Sequence, residues 1–173
     1  GRAGMALVGA HMRLGHALAL QERHREALEE YAREVEFLRS VDHALRTRIF
    51  IELHQRIGEA HLRLGEAVAA RRALDLAVEA YERRLRAGAD DPMSPYYAAG
   101  AHSLRGDRDA ALTCLERAAS GRPRLTAARA ALEPALESLR DEPRFRAVAS
   151  TARMCPSTSK LVRFARTRPM VRL

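Results

Sequence analysis

The chain has 173 residues, 47% of them hydrophobic, 5% aromatic and 30% charged, with a formal net charge of +8. That length suits one domain with a real core. The bias toward Ala, Leu, Glu and Arg, with no Trp, favours helix over sheet. No apolar run approaches the ~18 residues of a membrane span, and no secretory signal is present, so the expected compartment is the cytoplasm. Residues 1–142 hold all 22 acidic side chains and 22 of the 30 basic ones, so the body is neutral and only 143–173 carries an excess. That distribution does not support the body as a nucleic-acid-binding surface. Arginine greatly outnumbers lysine, which occurs once at Lys160, and asparagine is absent, a usage that suits a GC-rich bacterial genome.

In chain order, residues 5–20 are expected to form a helix with Leu7, Leu14 and Leu18 on its apolar face. A second helix is expected over 24–40, where Ala27, Leu28, Tyr31, Val35 and Leu38 recur at three-to-four spacing. The third covers 43–64, with Ile49, Leu53, Ile57, Ala60 and Leu64, and stops at Gly65. The fourth covers 66–87 and breaks at Gly88 and Pro92. Ser94 followed by Pro95 reads as a cap and first helical position, opening a fifth helix that runs to Leu104. Gly106–Asp107 reads as turn plus cap, and a sixth helix runs to Ser120 before Gly121 and Pro123 end it. A seventh covers 124–132, Pro134 interrupts it, and a short turn reaches Leu139. Asp141–Pro143 then starts a last helix that ends near Ser150. Residues 151–173 show no period and are expected to be a mobile basic tail.

One pattern recurs three times. A small residue is followed 12 positions later by alanine and 16 positions later by a large apolar residue: Gly15, Ala27, Tyr31; Gly58, Ala70, Leu74; Ala99, Ala111, Leu115. The sets start 43 and 41 residues apart, in the range of helical repeat arrays. Helices whose axes lie 8–10 Å apart leave no room for a large side chain where they cross. The small residue and the alanine therefore mark the crossing of two paired helices, and the bulky residue fills the space one turn on.

These residues resemble tetratricopeptide repeats. The third unit, GDRDAALTCLERAASGRP (Gly106–Pro123), is the closest match, and the second, Leu53–Arg84, matches through Ile57, Gly58, Gly65, Ala70, Leu74 and Ala77. The first, His11–Val35, matches through Leu14, Gly15, Ala27 and Tyr31, but has Glu22 at the inter-helix glycine and Glu34 at a later alanine. The period exceeds the family's usual 34, as in its long-helix variants. Leu132–Val148 is similar to a terminal segment that follows such repeats in bacterial signalling proteins, including serine/threonine kinases and nucleotide cyclases. The resemblance implies an all-α, right-handed superhelical α-α solenoid of three helix hairpins with C-terminal capping helices. It would form one repeat domain over 1–150, with units near 8–41, 51–84 and 92–125, a cap at 126–150, and the tail beyond.

Catalytic motifs are absent. There is no Gly-rich phosphate loop, no GxSxG and no HExxH, and Cys114 and Cys155 show no metal or redox spacing. No enzyme activity, metal or cofactor is expected. His11 and His54 are equivalent positions, as are His61 and His102, and the resemblance puts bulky core side chains there, so these four are expected to be structural. By the matching positions, a concave groove would be lined by Met12, His16, Ala19 and Leu20 from unit one. Unit two would add Glu52, Gln55, Glu59, Leu62 and Arg63, and unit three Tyr96, Gly100, Ser103 and Leu104. This mixed floor lacks the Lys/Asn/Arg set with which chaperone-binding members hold a terminal carboxylate.

The expected function is therefore noncatalytic binding of a protein partner's peptide or helix, with self-association also open. The expected setting is a bacterial signalling or regulatory protein. The plain alternative is a groove that only faces solvent or is filled by the chain's own tail. In the tail, Lys160, Arg163, Phe164, Arg166 and Arg168 mix charge with apolar residues and would suit nucleic acid or an anionic membrane. A third possibility is a segment that regulates a kinase or cyclase in cis.

Overall fold

The computed structural model describes residues 8–40, 46–89 and 91–151. Among them, eight α-helices and one 3-10 helix follow one another: α1 Ala10–Leu20, α2 His24–Ser40, α3 Arg46–Arg63, α4 Ala67–Arg86, α5 Met93–Arg105, α6 Arg108–Gly121, α7 Pro123–Ala130, the 3-10 segment Pro134–Leu139, and α8 Pro143–Ser150. The protein is all-α, and α1 with α2, α3 with α4, and α5 with α6 pack as adjacent pairs. Residues 5–7 and 43–45, expected to begin the first and third helices, lie outside the described residues.

The crossings follow the small-residue pattern. A methyl group added to Gly15 would lie 2.5 Å from Cε1 of Tyr31 and 3.0 Å from the carbonyl oxygen of Ala27. One added to Gly58 would lie 2.5 Å from Cγ of Leu74 and 3.4 Å from the carbonyl oxygen of Ala70. The bulky member of each set therefore packs directly over the small one. Ala99, Ala111 and Leu115 are fully buried in one cluster, where an alanine methyl is accommodated. Packing at near-crystalline density leaves such positions no slack.

Two carboxylates finish helix ends in ways the pattern did not suggest. Glu34 of α2 is fully buried, and its oxygens accept the backbone N–H groups of Gly9, His11 and Met12 at 2.7, 3.1 and 3.3 Å. These are the donors that a helix N-terminus leaves unpaired, which explains a glutamate where the repeat pattern has alanine. At α5 the cap is Asp91, not Ser94. Its Oδ1 accepts the N–H groups of Met93 and Ser94 at 3.1 and 2.9 Å, while Oδ2 takes the Ser94 hydroxyl at 2.7 Å and Arg84 Nε at 2.8 Å. Ser94 thus sits inside the helix, which starts at Met93, two residues earlier than expected. Asp107 precedes α6 but makes no side-chain cap there; its Oδ2 instead meets Arg105 Nε at 3.2 Å. Leu14, expected on the apolar face of α1, is 51% exposed, because Met12 and Gly15 form the buried face.

The C-terminal segments are part of the core. Leu136 and Leu139 of the 3-10 segment and Phe145 and Val148 of α8 are buried with Leu112 and Leu115 of α6. The 3-10 segment lies directly on α5.

The turns within the three pairs share one geometry. Gly65 and Gly106 have φ of +76° and +87°, and Glu22 occupies the same place with φ +62°. In each, the next residue's N–H returns to a carbonyl five residues back: Arg23 to Leu18, Glu66 to His61, Asp107 to His102. A left-handed backbone suits glycine and costs other residues about 1 kcal/mol. Glu22→Gly is therefore expected to raise stability by about 1 kcal/mol in urea denaturation, while Gly65→Glu lowers it by a similar amount.

Candidate functional site

Along α3, Glu52, Arg56, Glu59 and Arg63 stand at successive i, i+4, i+7 and i+11 positions, which a helix places on one face. Arg56 is the centre of that face. Its side chain is only 10% exposed, with Nη2 3.7 Å from Oε2 of Glu133 and Nε 3.9 Å from Oε1 of Glu52. The Tyr96 hydroxyl donates to the same Glu133 oxygen at 3.4 Å. Burial opposes the charge of Arg56, but Glu133, Glu52, Glu59 and Tyr31 together hold its pKa above the usual arginine value. Burial pushes the carboxyls of Glu52 and Glu59 up, in Glu59 reinforced by the nearby charge of Glu133.

Three cavities open around this arginine. One of about 260 Å³ lies between α1 and α3, bordered by His16, Leu20, Tyr31, Glu59, Arg63 and Pro134. A second, of about 410 Å³, reaches Tyr96, Arg129, Leu132 and Glu133. The third, of about 720 Å³, runs between α1 and α7 over α3 and α5. Arg56 and His16 border all three. Burial lowers the pKa of His16, helped by Arg56 and opposed by Glu133, so its imidazole favours the neutral form.

Of the residues expected to line a groove, Met12, His16, Leu20, Glu52, Glu59 and Arg63 do border this space. Leu20 is 69% exposed at its edge. Leu62 is 39% exposed and borders none of these cavities. In unit three the 3-10 segment lies on α5: Tyr96 is buried but still borders the 410 Å³ cavity, while Ser103 is buried with its Oγ 3.1 Å from Ser138 Oγ. Gln55 is buried too, and a methyl group on Gly100 would lie 3.3 Å from its amide and 3.4 Å from Cβ of Ala135. Residues 134–139 therefore cover this face of α5. The tail residues Lys160, Arg163, Phe164, Arg166 and Arg168, and Cys155 with them, lie outside the described residues.

Several residues that shape the cleft escape a reading of the sequence. Arg56 was within reach, since it shares a helical face with Glu52 and Glu59. Glu133, Arg122 and Arg129 enter only because the 3-10 segment folds back onto α5 and α7 packs beside α6. Arg129 is held there by the Tyr97 hydroxyl, to which Nη1 donates at 3.2 Å, and lies 5.8 Å from the centre of the Tyr96 ring.

The histidines divide by environment. His61 and His102 play one role in two units: each Nδ1 meets the acidic residue five positions on, Glu66 at 2.6 Å and Asp107 at 3.5 Å. His11 Nδ1 pairs with Glu30 at 2.7 Å. His54 is buried, edge-on to Phe50 with ring centroids 3.9 Å apart. Among the described residues, no three His, Cys, Asp or Glu side chains gather as a metal site, and no helix is long and apolar enough to cross a membrane.

Compared with family models, curated proteins and solved structures, the chain matches none.

Burial, with a smaller effect from Arg39, lowers the pKa of His54 from 6.5 to about 4. The folded state thus keeps the imidazole neutral, and the unfolded chain takes up the proton first as pH falls. His54 contributes fully above pH 6.5 and progressively less down to about pH 4. The buried glutamates act in the opposite sense, so a comparison with a variant isolates the histidine. Urea denaturation is expected to show wild type losing about 2 kcal/mol more than His54→Phe between pH 7.5 and pH 5.

Proposed function

We propose that this chain is a tetratricopeptide-type interaction module, noncatalytic and cytoplasmic, that holds a segment of a protein partner in a concave groove. Three helix pairs, a crossing set of small, alanine and bulky residues in each, and glycine-like turns at Glu22, Gly65 and Gly106 support a right-handed solenoid capped by α7, the 3-10 segment and α8. Repeat arrays of this kind expose an extended inner surface for partners. A role within a bacterial signalling or regulatory protein fits the similarity of Leu132–Val148 to terminal segments of such proteins.

The observation that carries the reading is the open space along α1 and α3. His16, Glu59 and Arg63 border a cavity beside Tyr31, with charged and apolar groups alternating around it. Such a mixture suits side chains of a peptide or helix, which need pockets for register and charges for selection.

The test is an unbiased peptide library screened against the full chain, with binding measured by fluorescence anisotropy. Combining Glu59→Lys with Arg63→Glu is expected to weaken groove ligands on the order of tenfold or more. Removal of 152–173 is expected to change affinity less than about twofold, as for a segment outside the interface. Ligands that ignore the reversal but depend on the tail would overturn the groove reading.

A further inference from the structure

The 720 Å³ cleft has a charge that the rest of the body lacks. Residues 1–142 are neutral as a whole, yet among the described residues this space is bordered by Arg13, Arg48, Arg56, Arg122 and Arg129 and by one carboxylate, Glu52. Arg56 is spent on Glu52 and Glu133. Three of the other arginines are placed in other ways. Arg13 donates to the backbone carbonyls of Gly9 and Val8 at 3.1 and 3.2 Å. Arg129 donates to the Tyr97 hydroxyl. Arg48 keeps a buried Nε without a hydrogen-bond partner among the described residues. Neutral acceptors orient a guanidinium but leave its charge uncompensated, which is how a fork for carboxylates is prepared before its ligand arrives.

From this geometry we infer that the α1–α7 cleft receives an acidic peptide segment of a partner, with carboxylates on the arginines and aliphatic side chains between them. The inference rests on the groove reading above and adds the chemistry of the occupant. Met12, Ile49, Met93 and Leu125 alternate with the arginines around the cleft and supply the apolar contacts. The tyrosines that a nucleic acid would need for base stacking, Tyr96 and Tyr97, are buried, which favours a peptide over a polynucleotide. The side chains of 1–7 and 152–173 include no Asp or Glu, so they offer the cleft no acidic group.

The test uses the full chain and a labelled peptide of repeating Glu-Leu-Ser units, with the Gln-Leu-Ser and Lys-Leu-Ser counterparts and single-stranded oligothymidylate as comparisons. The Glu peptide is expected to bind best, and more tightly at low salt. Arg48→Gln with Arg122→Gln is expected to weaken it on the order of tenfold, and Arg122→Gln alone, at an exposed position, about threefold. Equal charge losses elsewhere, Arg83→Gln with Arg86→Gln on α4 and Arg166→Gln with Arg168→Gln in the tail, are expected to change it less than about twofold. Thermal melts of each variant show whether it is folded, and the single variant carries the test if the double one is not. Equal binding of the Gln peptide overturns the acidic partner while leaving the groove reading intact. Loss of binding through the tail pair, indifference to the cleft variants, or tighter binding of oligothymidylate overturns the inference outright. A chain that binds library peptides sensitive to Glu59 and Arg63, but not the Glu peptide, also rejects the inference and keeps the groove.

Discussion

A single arginine, Arg56, lies at the meeting point of the structure. It is nearly buried on α3, and a buried guanidinium is tolerable only where carboxylates approach it from fixed positions. Glu52 does so from the same helix, and Glu133 does so from the start of the 3-10 segment, far along the chain. That second contact ties the C-terminal part of the fold to the middle helix pair. Tyr96 is bound into the same arrangement through Glu133. His16 and Tyr31 bring the first helix pair to it.

The arrangement depends on how closely the helices of each pair cross. With no side chain at Gly15 and Gly58, α1 approaches α2 and α3 approaches α4 until Tyr31 and Leu74 rest on bare backbone. The faces that α1 and α3 keep outside those crossings then border one another across the cavities around Arg56. The 3-10 segment closes the part of this surface offered by α5 by packing Leu136 and Leu139 into the core beside α6. Hydrophobic burial places the segment, and Glu133 and Tyr96 give it register. What remains open is a small mixed cavity between α1 and α3 and a larger, arginine-rich cleft toward α7.

Much of this was legible in the residues. Helix boundaries followed caps, glycines and prolines, and the short turn after Pro134 was visible because proline both starts it and bars a longer helix through it. The small-residue sets announced the crossings because only steric exclusion explains a glycine at that spacing inside an otherwise helical pattern. The cap of α5 was misplaced by three residues, since Asp91, Ser94 and Pro95 all carry helix-start chemistry and only the path of the preceding loop decides among them. Glu34 looked like a departure from the repeat and proved to serve the N-terminus of α1, a contact between helices that no local pattern records. The burial of Tyr96, Gln55 and Ser103 was hidden for the same reason. It depends on where the segment 134–139 comes to rest, well removed along the chain from all three residues, and local periodicity carries no information about such long-range docking. Arg56 belonged to a face already identified, but its role appears only when Glu133 is beside it.

The measurement that bears most directly on this account is a double-mutant cycle on Arg56→Met and Glu133→Gln, read as unfolding free energy in urea. If the two groups compensate each other in a buried setting, each single variant leaves an unpaired partner and costs on the order of 3 kcal/mol. The double variant then costs clearly less than the two combined, with a coupling of at least about 1 kcal/mol. Additive losses within about 0.5 kcal/mol would mean that the pair does not hold the 3-10 segment beside α3 and α5, and would contradict the account.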